Sequence, residues 1–313
     1  MINALSVDVE DYFQVSAFSD VVPYASWDRF PCRAQDNTLR LLDLFDRHGV
    51  KATFFVLGWL AERYPTLVQE IHLRGHEVGS HGYAHRTLDR SSPAEFREEI
   101  RSAKAFLEDL IHFPVIGYRA PSFSLTRETM WALEILSEEG FQYDSSVFPI
   151  RHDRYGIPNA VRFPHSFACD GRTLYEFPMS TLTLLRTNIP IAGGGYLRAF
   201  PYWFTRWGIR RVNALEGQPV MVYIHPWEID PAQPRINGRI LSRLRHYLNL
   251  RYTAHRMETL LEDFRFGTIR SILNLTPADK PVATTEQAGN KGQTDDRSAR
   301  RPMAVDPVRE QEA

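Results

Sequence analysis

The chain has 313 residues, 43% of them hydrophobic and 12% aromatic, which is enough for one enzyme-sized core, since an alternating β/α barrel reaches about 250 residues as a single domain. Its 37 Lys and Arg nearly cancel its 38 Asp and Glu, removing the electrostatic case for a nucleic-acid partner. Two cysteines, Cys32 and Cys169, exclude a disulfide framework, no apolar run reaches the roughly 18 residues of a transmembrane helix, and the first residues lack a secretory pattern, so a cytoplasmic protein is expected.

Residues 2–9 read as a first strand, followed by an aromatic-rich loop. A helix with Asp36 as N-cap then carries Leu39, Leu42 and Phe45 and stops at Gly49. Residues 51–57 form a β-branched and aromatic strand, and the next helix puts Leu60, Tyr64, Leu67, Val68 and Ile71 on one face before Gly75. After a short strand at 77–79 and a His-rich turn, Ser92-Pro93-Ala94-Glu95 combines a capping box with proline at the first helical position. The helix it opens spaces Phe96, Ile100, Ala103, Leu107 and Leu110 along one face. A strand at 114–118, a helix at 126–140 and a strand end at 142–144 complete a βα rhythm that implies a parallel sheet.

The rhythm loosens over 149–200, which read as loops and excursions with a strand at 174–177 and a flexible turn at 193–195. A helix at 201–215, an apolar strand at 220–224, a long helical stretch at 237–264 and a last strand at 268–272 follow. From residue 277 the composition becomes small, polar and charged, too poor to bury a core. The expected organisation is a domain over 1–276, with a C-terminal helical extension over about 231–276, and a disordered tail over 277–313.

Candidate chemistry sits just past these strands, the usual active-site rim of a βα barrel. Asp8-Val9-Glu10-Asp11 crowds three carboxylates at the end of the first strand; Asp8 and Glu10 share one side and Asp11 takes the other. Such crowding resists full ionisation unless a cation or an arginine lies among the carboxylates. His81 and His85, four residues apart, can aim both imidazoles at one point, and two His with one carboxylate make an open metal site. Arg119, in Gly117-Tyr118-Arg119-Ala120-Pro121-Ser122-Phe123, can lock a carboxylate. Asp144 and His225 follow two further strands.

The order and spacing of these five elements resemble the NodB-type polysaccharide deacetylases, carbohydrate esterase family 4, over residues 1–230. Ser80 to His85 is similar to the family's SHxxxH motif, Arg119 and Pro121 to its RxP motif, Asp144 to its fourth motif and His225 to its late histidine motif. The segments DVEDYFQV, SSVFPIRHDRYGIP and HPWEIDPAQPR further resemble the branch linked to bacterial exopolysaccharide and exosortase systems. The resemblance implies an α/β protein, a distorted (β/α)7 barrel. It also implies a metal-dependent hydrolase removing N-acetyl groups from an N-acetylated polysaccharide or its lipid-linked oligosaccharide precursor.

In that family pattern Asp8 is the general base, His81 and His85 are metal ligands, and His225 is the acid that protonates the departing amine. Arg119 holds Asp8 ionised, Asp144 pairs with His225, and the backbone amide near Ser122 helps the oxyanion. Val9 stands directly after Asp8 where the family usually has a second aspartate, so the third ligand must be Glu10 or Asp11, and strand parity favours Glu10. Phe123 and Phe148 replace a usual glycine and a frequent tryptophan, which points to a different groove wall. Pro121, Ser122, Phe123 and Trp227 are the candidate substrate contacts.

The expected cofactor is a divalent metal, Zn2+ first, with Co2+, Ni2+ or Mn2+ suited to the same donors. The expected partner is an N-acetylated glycan. Trp27, Tyr83 and Trp203 are further candidate sugar platforms, and the charged stretch Arg151-His152-Asp153-Arg154-Tyr155 suggests substrate or lipid-phosphate recognition. Two other readings compete: a cyclic-amide hydrolase of small nitrogenous metabolites on the same fold, against which the intact His81, His85 and His225 argue, and a non-catalytic carbohydrate-binding scaffold, motivated by the missing adjacent aspartate.

Overall fold

The computed structural model describes residues 1–276 apart from Asp170 and Ala192; the tail expected to be disordered lies outside the described residues. The strands are β1 (Ile2–Val9), β2 (Thr53–Val56), β3 (Glu77–Ser80), β4 (Gly117–Tyr118), β5 (Tyr143–Asp144), β6 (His165–Cys169), β7 (Arg172–Glu176), β8 (Thr181–Leu184), β9 (Thr187–Pro190), β10 (Met221–Ile224) and β11 (Arg265–Gly267). The helices are α1 (Ala34–Arg47), α2 (Gly58–Arg63), α3 (Pro65–Leu73), α4 (Pro93–Ile111), α5 (Trp131–Glu138), α6 (Gly194–Ala199), α7 (Tyr202–Arg211), α8 (Ile240–Tyr247), α9 (Leu250–Asp263) and α10 (Ile269–Ile272).

Seven strands run parallel in the order β10-β1-β2-β3-β4-β5-β7; β6 is antiparallel at the edge and β11 lies alongside the start of β1. β11 runs parallel to β1 as well, so the mixed sheet holds eight parallel strands and one antiparallel strand among the described residues. Among the described residues no ladder joins β7 to β10, so the hydrogen-bonded ring that a barrel implies is left open there. A side chain spans that side instead: the Met221 N–H donates to Ser180 Oγ at 2.7 Å, just past β7.

Side chains alternate between the two faces of each strand. Val7, Val9, Phe54, Val56, Val78 and Tyr118 pack outward with Leu41, Phe45, Ile71, Phe96 and Ile100 of the helices. Ala4, Phe55, Tyr143, Phe177, Met221 and Tyr223 meet in a separate inner cluster. Register then carries the chemistry. Val9 pairs with Val56, Val56 with Ser80, Ser80 with Tyr118 and Tyr118 with Asp144, so the next residues, Glu10, His81, Arg119 and Ser145, leave their strands at one level on the inner side.

Several local expectations hold. Ser92 and Glu95 make the reciprocal capping box that opens α4, and α4 buries Phe96, Ile100, Ala103 and Leu107. Others are corrected. The helix expected to start at Asp36 starts at Ala34, because Asp11 caps it from a distant loop. The helix expected before Gly75 divides at Pro65, whose ring disfavours helical geometry at Tyr64. Residues 149–200 hold two hairpins, β6–β7 and β8–β9. The long helix over 237–264 breaks at Asn249, which is left-handed at φ 56°. The last strand is β11, and 269–272 is helical because the Thr268 side chain accepts the Ser271 N–H.

The glycines at 193–195 form a helix start at α6, not a flexible turn. A Cβ on Gly193 would lie 2.1 Å from the Tyr223 ring, and its φ of +116° disfavours any side chain. Gly193→Ala is therefore expected to destabilise the protein by about 3 kcal/mol, combining backbone strain with overpacking. Urea unfolding checks this, and a loss under about 0.5 kcal/mol would contradict it.

Buried His76 makes stability depend on acid. Its Nδ1 accepts the Ala52 N–H at 3.1 Å and its ring abuts Phe54. Burial pushes its pKa from 6.5 down to about 4. The folded value lies below the unfolded one, so stability is fully present above pH 6.5 and is lost as pH falls toward 4. The loss should reach about 3 kcal/mol at pH 4. Urea midpoints of metal-free protein across that range should show it, and His76→Asn should flatten the slope.

Candidate metal centre and active site

Glu10, His81 and His85, all buried, each offer one ligand atom within 4.8 Å of the others. Glu10 leaves β1 on the inner side, and its Oε1 accepts the Trp227 indole N–H at 3.3 Å. Its Oε2 lies 2.7 Å from His85 Nε2 but receives no hydrogen bond among the described residues. A buried carboxylate oxygen left in that state suits a cation. His81 Nδ1 sits 2.8 Å from the Arg119 carbonyl, so that nitrogen carries the proton and Nε2 remains for a metal. The His-bearing loop turns through Gly82 and a left-handed His85, and Glu99 pins it by accepting the Tyr83 N–H at 2.9 Å.

The electrostatics agree with this donor set. Burial opposes ionisation of Glu10, but His85 and His225 outweigh it and hold the carboxyl at about 2. Burial pushes His81 down to about 4, leaving the neutral imidazole that ligates metals. One carboxylate and two imidazoles fit a borderline divalent cation with open positions.

Asp8 lies beside this triad. Arg119, fully buried, donates from Nη1 to Asp8 Oδ1 at 2.6 Å and to Ser6 Oγ at 2.7 Å. Its Nε and Nη2 donate to the carbonyl and hydroxyl of Ser145, and Phe55 lies under the guanidinium. Arg119 therefore reaches the carboxylate with one nitrogen and spends the others fixing its own plane.

His225 faces the same centre, with Nε2 3.3 Å from Glu10 Oε1 and 3.8 Å from Asp8 Oδ2. Its partner differs from the sequence expectation. Glu228 Oε2 lies 3.3 Å from His225 Nδ1 and accepts the His225 backbone N–H at 3.1 Å. Behind it, Arg198 donates from Nε to Glu228 Oε1 at 2.7 Å and from Nη1 to the carbonyls of Arg245, His246 and Leu248. Burial works against a charged His225, but Glu10, Glu228 and Asp8 outweigh it and raise the group to about 9.

Asp144 does not pair with His225. It emerges level with Tyr118 on the outward face of the sheet, opposite the site. There it accepts the hydroxyl and N–H of Ser146 and shares buried space with Glu176. Burial raises both carboxyls, and Asp144 lifts Glu176 further. Asp11 is also corrected: its carboxylate accepts the backbone N–H groups of Tyr12, Arg33 and Ala34, away from the metal centre.

The triad forms the floor of an open cleft of about 1420 Å³. Ser122, Phe123, Tyr83, Trp27 and the stretch from Asp153 to Tyr155 line it, whereas Pro121 does not. Ser122 is left-handed, at φ 55°, with its hydroxyl 2.6 Å from Ser16 Oγ. Trp227 touches the cleft, but His225 and His246 stack on its ring, His246 at 4.0 Å. It is therefore a support for Glu10 rather than a stacking platform for sugar. Trp203 is 67% exposed on α7 and does not line the cleft.

The sequence reading did not single out Glu228 or Arg198. A carboxylate three residues after His225 was a usable signal for the first; nothing local marked the second.

Residues 18–143 match the polysaccharide deacetylase family, and residues 145–274 match a domain of unknown function, DUF3473. The chain is similar to a peptidoglycan-N-acetylglucosamine deacetylase of Bacillus cereus, 36% identical over 98 residues, covering 31% of this chain and 36% of the relative. A chitooligosaccharide deacetylase of Bradyrhizobium is 40% identical over 63 residues, covering 20% and 29%. The chain spans about a third of the length of the first curated relatives it matches. Among solved structures, a Mycobacterium smegmatis protein assigned as a polysaccharide deacetylase superposes with a TM-score of 0.54 at 20% identity, over 88% of this chain and 93% of that one. Puue allantoinase superposes with a TM-score of 0.56 at 16% identity, over 87% and 88%. At those identities the likeness is one of fold. With several of its motif residues leaving their strands at one level of the sheet, the chain is similar to the polysaccharide deacetylase family over residues 18–143.

Proposed function

We propose that this chain is a divalent-metal-dependent hydrolase that removes N-acetyl groups from an N-acetylated glycan. One observation carries the reading: Glu10, His81 and His85 converge on one point with Asp8 and His225 beside them on the floor of an open cleft. An acetamide resists attack because its nitrogen donates into the carbonyl, so hydrolysis needs a polarised oxygen, an activated water and a proton for the departing amine.

Glu10, His81 and His85 would hold the cation, which when bound supplies Lewis-acid polarisation and acidifies water. Asp8, held in place by the Arg119 guanidinium, accepts the proton of the attacking water. His225, braced at Nδ1 by Glu228, presents Nε2 to the site and gives its proton to the amine as the C–N bond breaks. The products are acetate and a free amino sugar. The open cleft leaves room for sugar units on either side of the reacting one.

Zinc is our first choice of metal, because one carboxylate and two imidazoles are a common catalytic zinc set. We further place the substrate in bacterial exopolysaccharide synthesis, as the polymer or its lipid-linked precursor, on the resemblance of DVEDYFQV and SSVFPIRHDRYGIP to that branch.

Elemental analysis of purified protein should find about one divalent ion per chain. Acetate release from N-acetylglucosamine oligomers should stop on chelation and return with zinc, cobalt or nickel. Protein that neither holds metal nor releases acetate after all three are added back would overturn the reading.

A further inference from the structure

Helix α8 is turned inside out relative to an ordinary surface helix, which hides its apolar stripe. It exposes Ile240, Leu241 and Leu244, at 75%, 56% and 64%, with Leu248 just beyond it at 43%, and it buries Ser242 and His246. The inward side is already satisfied: His246 lies 2.8 Å from Gln233 Oε1 and stacks on Trp227. The aliphatic side chains outside are therefore not displaced core.

The same stretch is strongly basic. Between Asp230 and Glu258 the chain has no acidic residue and six arginines, Arg235, Arg239, Arg243, Arg245, Arg251 and Arg256. Arg256 donates inward to the carbonyls of Leu197, Arg198 and Phe200, while the other five are exposed. The face also adjoins the cleft. Arg239 and Ser242 line the cleft wall, Arg239 bonds Asp20 at 2.9 Å, and Arg245 lies 3.8 Å from Asp153, both aspartates being cleft residues.

We propose that α8 and its flanking arginines form a docking face for an anionic lipid bilayer at the mouth of the cleft. Charge complementarity selects this occupant: guanidinium groups interleaved with long aliphatic side chains, on a stretch with no acidic residue of its own and with only Arg239 and Arg245 near a carboxylate of another element, match a plane of phosphates above acyl chains. No helix among the described residues is long and apolar enough to cross a membrane, so the attachment is peripheral. Docked this way, the protein holds its cleft at headgroup level, where a glycan anchored in the bilayer reaches the metal centre. That last consequence rests on the deacetylase reading; the docking does not.

The test mixes the full chain with sedimentable vesicles of phosphatidylcholine, alone or with about 30% phosphatidylglycerol. Binding should be at least about tenfold stronger to the anionic vesicles and should weaken in high salt. Leu241→Glu combined with Leu244→Glu should lower it about tenfold or more, and Arg243→Glu combined with Arg251→Glu should do the same. Both variants should keep wild-type thermal unfolding and metal content. Equal binding to neutral and anionic vesicles, no binding, or binding that neither variant changes would overturn the proposal. So would a wild-type dimer that binds no vesicles and is split by the leucine substitutions, which would put a second copy on this face. Vesicle binding without acetate release would leave the docking standing and remove the catalytic reading.

Discussion

Glu10→Ala is expected to weaken divalent-metal binding by more than 100-fold, whereas Asp11→Ala should leave metal stoichiometry intact and instead weaken the fold. Losing an outer-sphere partner typically costs 10–100-fold in metal affinity, so losing one of three direct ligands should exceed that range. The neighbouring carboxylates have divided the work by strand parity. Glu10 turns inward to the two imidazoles, while Asp11 turns away and accepts three backbone N–H groups, two of them at the start of α1. Removing Asp11 leaves those buried donors unpaired and should cost about 2–4 kcal/mol. Equilibrium dialysis with zinc and urea unfolding on the same two variants separate the roles. A metal-free Asp11→Ala beside a metal-loaded Glu10→Ala would reverse the assignment.

The second large effect concerns the brace behind His225. Glu228→Gln should lower kcat for acetate release by about 100–1000-fold with KM within about threefold, because His225 loses the anion that holds its ring and its charge. Glutamine keeps an oxygen for Arg198, so the buried guanidinium is not stranded. Asp144→Asn should reduce kcat far less, since Asp144 lies on the helix-facing side of the sheet and bonds Ser146 there. Steady-state kinetics on both variants decide between them. If Asp144→Asn abolished turnover and Glu228→Gln did not, the His225 partner would have to act through the sheet.

These two cases show where a linear reading works and where it stops. Alternation along a single strand was enough to favour Glu10 over Asp11, because both residues belong to β1 and period two is a local property. Pairing Asp144 with His225 required knowing which face of β5 looks inward, and that depends on the Tyr118–Asp144 register. The capping box of α4 and the convergence of His81 and His85 from one turn were legible for the same local reason. The hairpins over 165–190 were not, although Asp170-Gly171 is a hairpin signal, because the surrounding prolines and aromatics obscured the alternation. Arg198 joined the site through a helix whose glycines read as a turn. Helicity in 240–247 was predictable, but that its leucines face outward follows only from what its inner side touches.

The line between the two matched stretches falls at Asp144, and the sheet ignores it. Asp8 and Glu10 precede the first stretch, His81, His85 and Arg119 belong to it, and His225, Glu228 and Arg198 belong to the second. The second stretch also contributes β10 beside β1 and β7 beside β5. The stretch of unknown function is thus no accessory laid against a finished sheet: in this chain it supplies the strands on either side of β1 to β5 and the His225–Glu228–Arg198 chain, so neither stretch alone holds the whole of the proposed site.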